Sequence, residues 1–270
     1  MDRETILKEM IRGADHELGD DVKGVLRNAM KAFSLHQLQK MIDAGVRFWP
    51  SVKGVPAEYA DAGFAVPDLA APADYVAPLR LLCVSPATLT KAGGATDATR
   101  HELAHAWDDV RNEKKSTNLR KLSGDALKKE VMRMLTEKQT EKQTEKQTKK
   151  QTFGSESTDK LPPDKKLSMQ EMASNYKDEL RLDKDRGFAH PTTAPKHVAA
   201  TVMEFYAEGY SVFHGYNDLC QSRLMDLAPE LYGYLEWESK LYHLATPNKA
   251  TLKKLLDTER YEVEQARKNR

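Results

Sequence analysis

The amino-acid sequence predicts an α+β fold, predominantly helical, with a small sheet beside one central helix. Three observations carry this expectation. Apolar residues recur at three- and four-residue spacing through both ends of the chain, the period of an amphipathic helix. Two short runs, Val46–Trp49 and Leu79–Val84, are β-branched or aromatic and bounded by proline or glycine, as strands are. Residues 99–112 then form a helical stretch of small and apolar side chains into which histidines and carboxylates are set.

Taken in order, the first helices follow from Ile6, Met10 and Ile11, and from Val22, Val25, Leu26, Met30 and Phe33. Residues 34–43 read as a third helix, with Ser34 as its N-cap and Gly45 as its stop. Residues 50–78 between the two strand runs are punctuated by proline and glycine and read as loop. The helix over 99–112 opens after Gly93-Gly94, with Thr96–Asp97 as its cap. Over 136–152 the chain repeats ThrGluLysGln without a single apolar residue. Such a segment cannot bury a face, and its glutamates would repel at i,i+4 on a helix, so it reads as a solvated insertion. From 167 onward helical patterning returns. Residues 201–213 are apolar on most sides, 229–244 form a further helix, and 250–269 form a charged one. The chain therefore divides into an N-terminal helical segment (1–34), a main domain (35–245) with the low-complexity insertion at about 136–165, and a charged C-terminal helix (246–270).

Composition narrows the function classes. The chain has 270 residues, 40% of them apolar and 31% charged, with a mean hydropathy of −0.68. That suits a soluble protein with a sizeable core. Basic and acidic side chains balance at 42 against 41, which gives no support for nucleic-acid binding. No apolar run reaches the roughly 18 residues of a membrane span. The N-terminus alternates charges without an apolar stretch, so a cytoplasmic site of synthesis is expected, with export by a route lacking a cleaved signal left open. Cys83 and Cys220 both lie in apolar surroundings and read as buried free thiols.

The chemistry is concentrated in His101-Glu102-Leu103-Ala104-His105. Four residues span about one helical turn, so both imidazoles leave the same face and can reach one Zn²⁺. Glu102 stands beside them, placed to take a proton from metal-bound water without being a ligand. A catalytic zinc needs a third protein ligand and an open fourth position. Glu204 and Glu208, again four apart and set among Val202, Met203, Phe205, Ala207 and Val212, offer it. Glu204 would bind the metal. Glu208, one turn on, would accept the far N–H of His101 and set its tautomer. His214 and the aromatic residues Tyr206, Tyr210, Tyr232, Tyr234 and Trp237 read as packing side chains.

HisGluLeuAlaHisAlaTrpAspAsp (101–109), followed far downstream by GluPheTyrAlaGluGlyTyrSerValPheHis (204–214), resembles the catalytic domain of the anthrax lethal factor family of gluzincin metallopeptidases. The order of helix, Ala-Gly-Val strand entry (44–46), loop, strand and zinc helix is similar too. The likeness runs over about 35–245, and only the two helices carry specific motifs. It implies a zincin-like domain with its sheet beside the His-Glu-x-x-His helix. His101, His105 and Glu204 would be zinc ligands, Glu102 the general base and Glu208 a supporting carboxylate. The implied activity is selective hydrolysis of a protein or peptide substrate, as in a toxin or effector protease. The family has a tyrosine seven residues before the ligand glutamate, to support the oxyanion. Here His197 holds that place, and an imidazole N–H can serve the same end, with His190 as its rival. An alternative is a binding or regulatory module that keeps the zinc fold without turnover. Retention of Glu102 argues against it, since metal binding alone does not require the base.

Overall fold

The computed structural model describes residues 1–14, 17–54, 56–60, 73–89, 95–112, 117–134, 136, 169, 171–173, 175–176, 202–215 and 217–268. The chain forms two compact units, Met1–Thr158 and Asp159–Arg270. The division falls inside the stretch expected as a low-complexity insertion.

In the first unit, helices α1 (Arg3–Met10), α2 (Asp20–Met30) and α3 (Leu35–Asp43) precede strand β1 (Arg47–Pro50). Asp2 caps α1 by accepting the Thr5 N–H, and Ser34 caps α3 through a full capping box with Gln37. Gly45 ends α3 at φ +93°, and the Val46 N–H reaches back to the Met41 carbonyl at 2.9 Å. This is the six-to-one bond of a Schellman stop, which turns the chain directly into β1. After the short helix α4 (Ala57–Ala60) come β2 (Ala73–Val76), a 3₁₀ turn (Ala77–Leu79), β3 (Leu81–Val84), α5 (Pro86–Leu89) and the long helix α6 (Ala95–Asn112). A further helical stretch covers 124–134.

The sheet has the order β1-β3-β2, with β1 parallel and β2 antiparallel to β3. Both expected strands form within a residue or two of their expected bounds. The difference lies in β2, which occupies a segment expected to be loop. Its Tyr75 and Val76 are good strand formers, but Ala77-Pro78 follow at once, and only pairing with β3 fixes four residues as a strand. Arg80 joins the 3₁₀ turn to β3 at φ +50°, which shortens the expected 79–84 strand to 81–84.

Helix α6 begins at Ala95, earlier than expected, so Thr96 and Asp97 lie in its first turn rather than at its cap. It packs on α2, α3, β2 and β3. Leu103, Ala104, Ala106 and Trp107 are fully buried on it, and Leu26, Leu38, Phe48 and Leu82 are buried around the sheet and the neighbouring helices. This core fixes the rotation of α6 and hence which side chains it presents at the edge of the sheet.

The second unit comprises α7 (Val202–Phe213), α8 (Asp218–Leu227), α9 (Pro229–Leu241) and α10 (Lys249–Lys268). Helix α7 packs on α8 and α9, and α8 on α10. Phe205, Tyr206, Tyr210 and Phe213 of α7 are buried with Leu231, Tyr232, Tyr234 and Leu235 of α9, so the aromatic residues expected as packing groups are core, with Trp237 half-buried. No described helix is long and apolar enough to cross a membrane.

Candidate metal centre

The fourfold spacing of His101 and His105 becomes a geometric fact on α6. Their Nε2 atoms lie 3.0 Å apart, and the rings meet edge to face at 80°. Two imidazole nitrogens held tetrahedrally at about 2.0–2.1 Å from one ion would stand roughly 3.3 Å apart. The pair is thus close to the separation one zinc demands, and the donor set suits that ion. With Glu102 the two histidines form a group whose ligand atoms all lie within 4.8 Å of one another, the one such group of three or more among the described residues. His101 is buried, and Glu102 and His105 are half-buried, so the group sits at the edge of the core.

Glu102 is held from the sheet. Its Oε2 accepts the Tyr75 main-chain N–H at 2.7 Å. Burial pushes its carboxyl pKa up, opposed by His105, His101 and the Tyr75 N–H. A carboxylate raised in this way is a better proton acceptor than an exposed one, which is what a general base needs.

Seven residues further along α6, Asp109 accepts the Tyr75 phenol at 3.0 Å and lies 3.9 Å from Arg80 Nε. Arg80 is buried and donates through Nη1 to the carbonyls of Ala44 (2.5 Å) and Thr117 (2.8 Å). Burial and Asp109 raise the Tyr75 pKa well above the ordinary phenol value, with Arg80 opposing, so the phenol stays a donor throughout the physiological range. Tyr75 fell in the expected loop 50–78 and Arg80 in the expected strand Leu79–Val84, so neither stood out as a site residue. The signal was there in Tyr75-Val76, an aromatic and β-branched pair just before Ala77-Pro78.

The other expected site residues fall elsewhere in the chain. Glu204 and Glu208 stand on α7 in the second unit and are both half-buried. Glu208 lies near enough to Tyr176 to raise its phenol pKa, although burial is the larger cause. His197 and His190 lie outside the described residues. His214 packs between Tyr210 and Phe213 and faces the Ser239 hydroxyl at 3.3 Å, the packing role expected for it. Cys83 and Cys220 are free thiols, the first buried and the second half-buried. Comparison with known proteins finds no matching family model, no similar curated protein and no similar solved structure.

Proposed function

We propose that this chain is a zinc-dependent endopeptidase. The observation that carries the reading is the convergence of His101 Nε2 and His105 Nε2 at 3.0 Å with the Glu102 carboxylate beside them on one helix. A bound zinc would supply Lewis-acid polarisation of a peptide carbonyl and lower the pKa of a coordinated water. His101 and His105 would hold it, with Glu204 as the third ligand and Glu208 orienting His101, assignments supported by the motif on α7 and by its resemblance to the lethal factor family.

Glu102 moves the proton. Its Oε2 is occupied by the Tyr75 N–H, so Oε1 is the atom that takes a proton from the attacking water and later passes it to the leaving amine. His197 donates an N–H to the developing oxyanion in place of the tyrosine that the lethal factor family uses. The substrate is a protein or peptide, and a role as a toxin or effector protease is what the same resemblance implies.

Zinc-replete purification followed by elemental analysis tests the metal, and hydrolysis of unfolded casein tests turnover. Wild type should hold close to one zinc per chain. Glu102→Ala should keep the metal and lose nearly all turnover, while His105→Ala and Glu204→Ala should lose both. A wild-type protein without zinc, or a Glu102→Ala protein that cleaves at the wild-type rate, would end this reading.

A further inference from the structure

We propose that Tyr75 is the positioning residue for Glu102: its main-chain N–H and its phenol together clamp strand β2 to helix α6. For its functional consequence the proposal rests on the peptidase reading. For its geometry it rests on the fold of the first unit alone.

Strand β2 is an edge strand, and Tyr75 stands opposite Leu82 of β3. An edge N–H that points away from the ladder must find a partner elsewhere or stay hydrated. The Tyr75 N–H finds Glu102 Oε2 at 2.7 Å, and the phenol of the same residue finds Asp109 Oδ2 at 3.0 Å. Both acceptors are carboxylates, and such charge-assisted bonds are roughly twice as strong as neutral ones. Glu102 and Asp109 lie seven residues apart, about two helical turns or roughly 10 Å along α6. One residue therefore grips the helix at two levels, and β2 cannot slide along α6 without breaking both bonds.

The lower grip is itself anchored. Asp109 also faces Arg80, whose side chain is only 1% exposed and is tied to the ends of α3 and of the segment before the 3₁₀ turn at Leu119–Lys121. Tyr75 lies in β2 and Arg80 in the connection to β3, so this one hairpin supplies both groups that meet Asp109. The upper grip then fixes Oε2 of Glu102 and leaves Oε1 as the free oxygen. Loss of the phenol would loosen the strand, and with it the N–H that holds the base. Zinc ligation through His101 and His105 would not change.

The test uses the full-length, zinc-loaded protein and two variants, Tyr75→Phe and Glu102→Ala. Residue-resolved amide exchange at position 75 reads the clamp, and casein hydrolysis reads the base. Glu102→Ala removes the acceptor and should speed exchange of the Tyr75 amide by about tenfold or more with zinc retained. Tyr75→Phe should speed exchange at the same amide and lower kcat by about tenfold, with KM within about twofold and one zinc per chain. A hydroxyl that only stabilised the fold would lower Tm without this split between kcat and KM. Unchanged exchange at position 75 in both variants overturns the proposal whatever the activity, and so does a Tyr75→Phe kcat within about twofold of wild type. A wild-type protein that binds zinc without cleaving casein removes the peptidase reading instead, and the exchange measurement then decides the clamp alone. Should Tyr75→Phe fail to fold, Glu102→Ala, which changes a half-buried side chain, still reads the same amide.

Discussion

Side chains of the same type carry different chemistry here because burial differs. Glu102 and Glu130 are both helical glutamates. Burial raises the first, whereas hydrogen bonds from Arg133 lower the second, which lies nearer solvent. Cys83 shows the effect of burial most directly. Enclosed in β3, its thiol is pushed up to about 12, chiefly by desolvation and in part by Asp74. At pH 8 its thiolate population is roughly a thousandfold below that of an ordinary cysteine. Iodoacetamide at that pH should therefore label Cys220 in the native protein and reach Cys83 only after unfolding, as peptide mapping would show. Equal labelling of the two would contradict the burial of β3. The linkage sign follows: a group raised on folding contributes stability that is intact below the unfolded value, near 8.5, and is lost as pH climbs toward about 12. Alkaline denaturation should accordingly be milder in Cys83→Ala than in wild type, once the cavity cost at neutral pH is subtracted.

At the scale of elements, the route from α3 into the sheet depends on one backbone conformation. Gly45 sits at φ +93°, and a Cβ placed there would stand 2.9 Å from the Leu119 main-chain nitrogen. Neither feature tolerates a side chain: the left-handed region penalises it, and main chain cannot yield as a flexible side-chain end can. Gly45→Ala should cost about 1–3 kcal/mol, read as a fall in Tm of about 2–4 °C per kcal/mol. Gly24→Ala, inside α2 with open space around the position and an ordinary φ, is the control and should be at least as stable as wild type. The helix α3 capping box and its glycine stop were legible as Ser34, Gln37 and Gly45, since caps are local chemistry written in adjacent residues. Strand β2 was not. Four residues before an Ala-Pro pair have too little intrinsic preference to declare themselves, and their pairing partners stand five to eleven residues away in β3.

For the whole chain, stability should reside in the helices and sheet that carry apolar faces and not in the ThrGluLysGln repeat. Residues 137–152 hold no apolar side chain, so their composition offers a core nothing to bury. Deleting them should leave the melting temperature and zinc content nearly unchanged, because shortening a long connection alters closure entropy by only about half a kcal/mol. A large drop in the melting temperature measured by calorimetry would mean that the repeat packs against a core.

By itself the sequence determined the helical character of the chain, two of the three strands among the described residues, the caps of α3 and the His101-Glu102-x-x-His105 face of α6. Each of these is a matter of period or adjacency, and the fourfold spacing alone brings two imidazoles to one side of a helix. Tertiary structure decided the rest of the site's surroundings. Only folding brings Tyr75 to Glu102 across 27 positions and to Asp109 across 34, and only folding buries Arg80 beside that carboxylate. The physical reason is that these partners are matched by burial and by the unpaired N–H of an edge strand. Both arise when β2 docks on α6, and no local pattern encodes them.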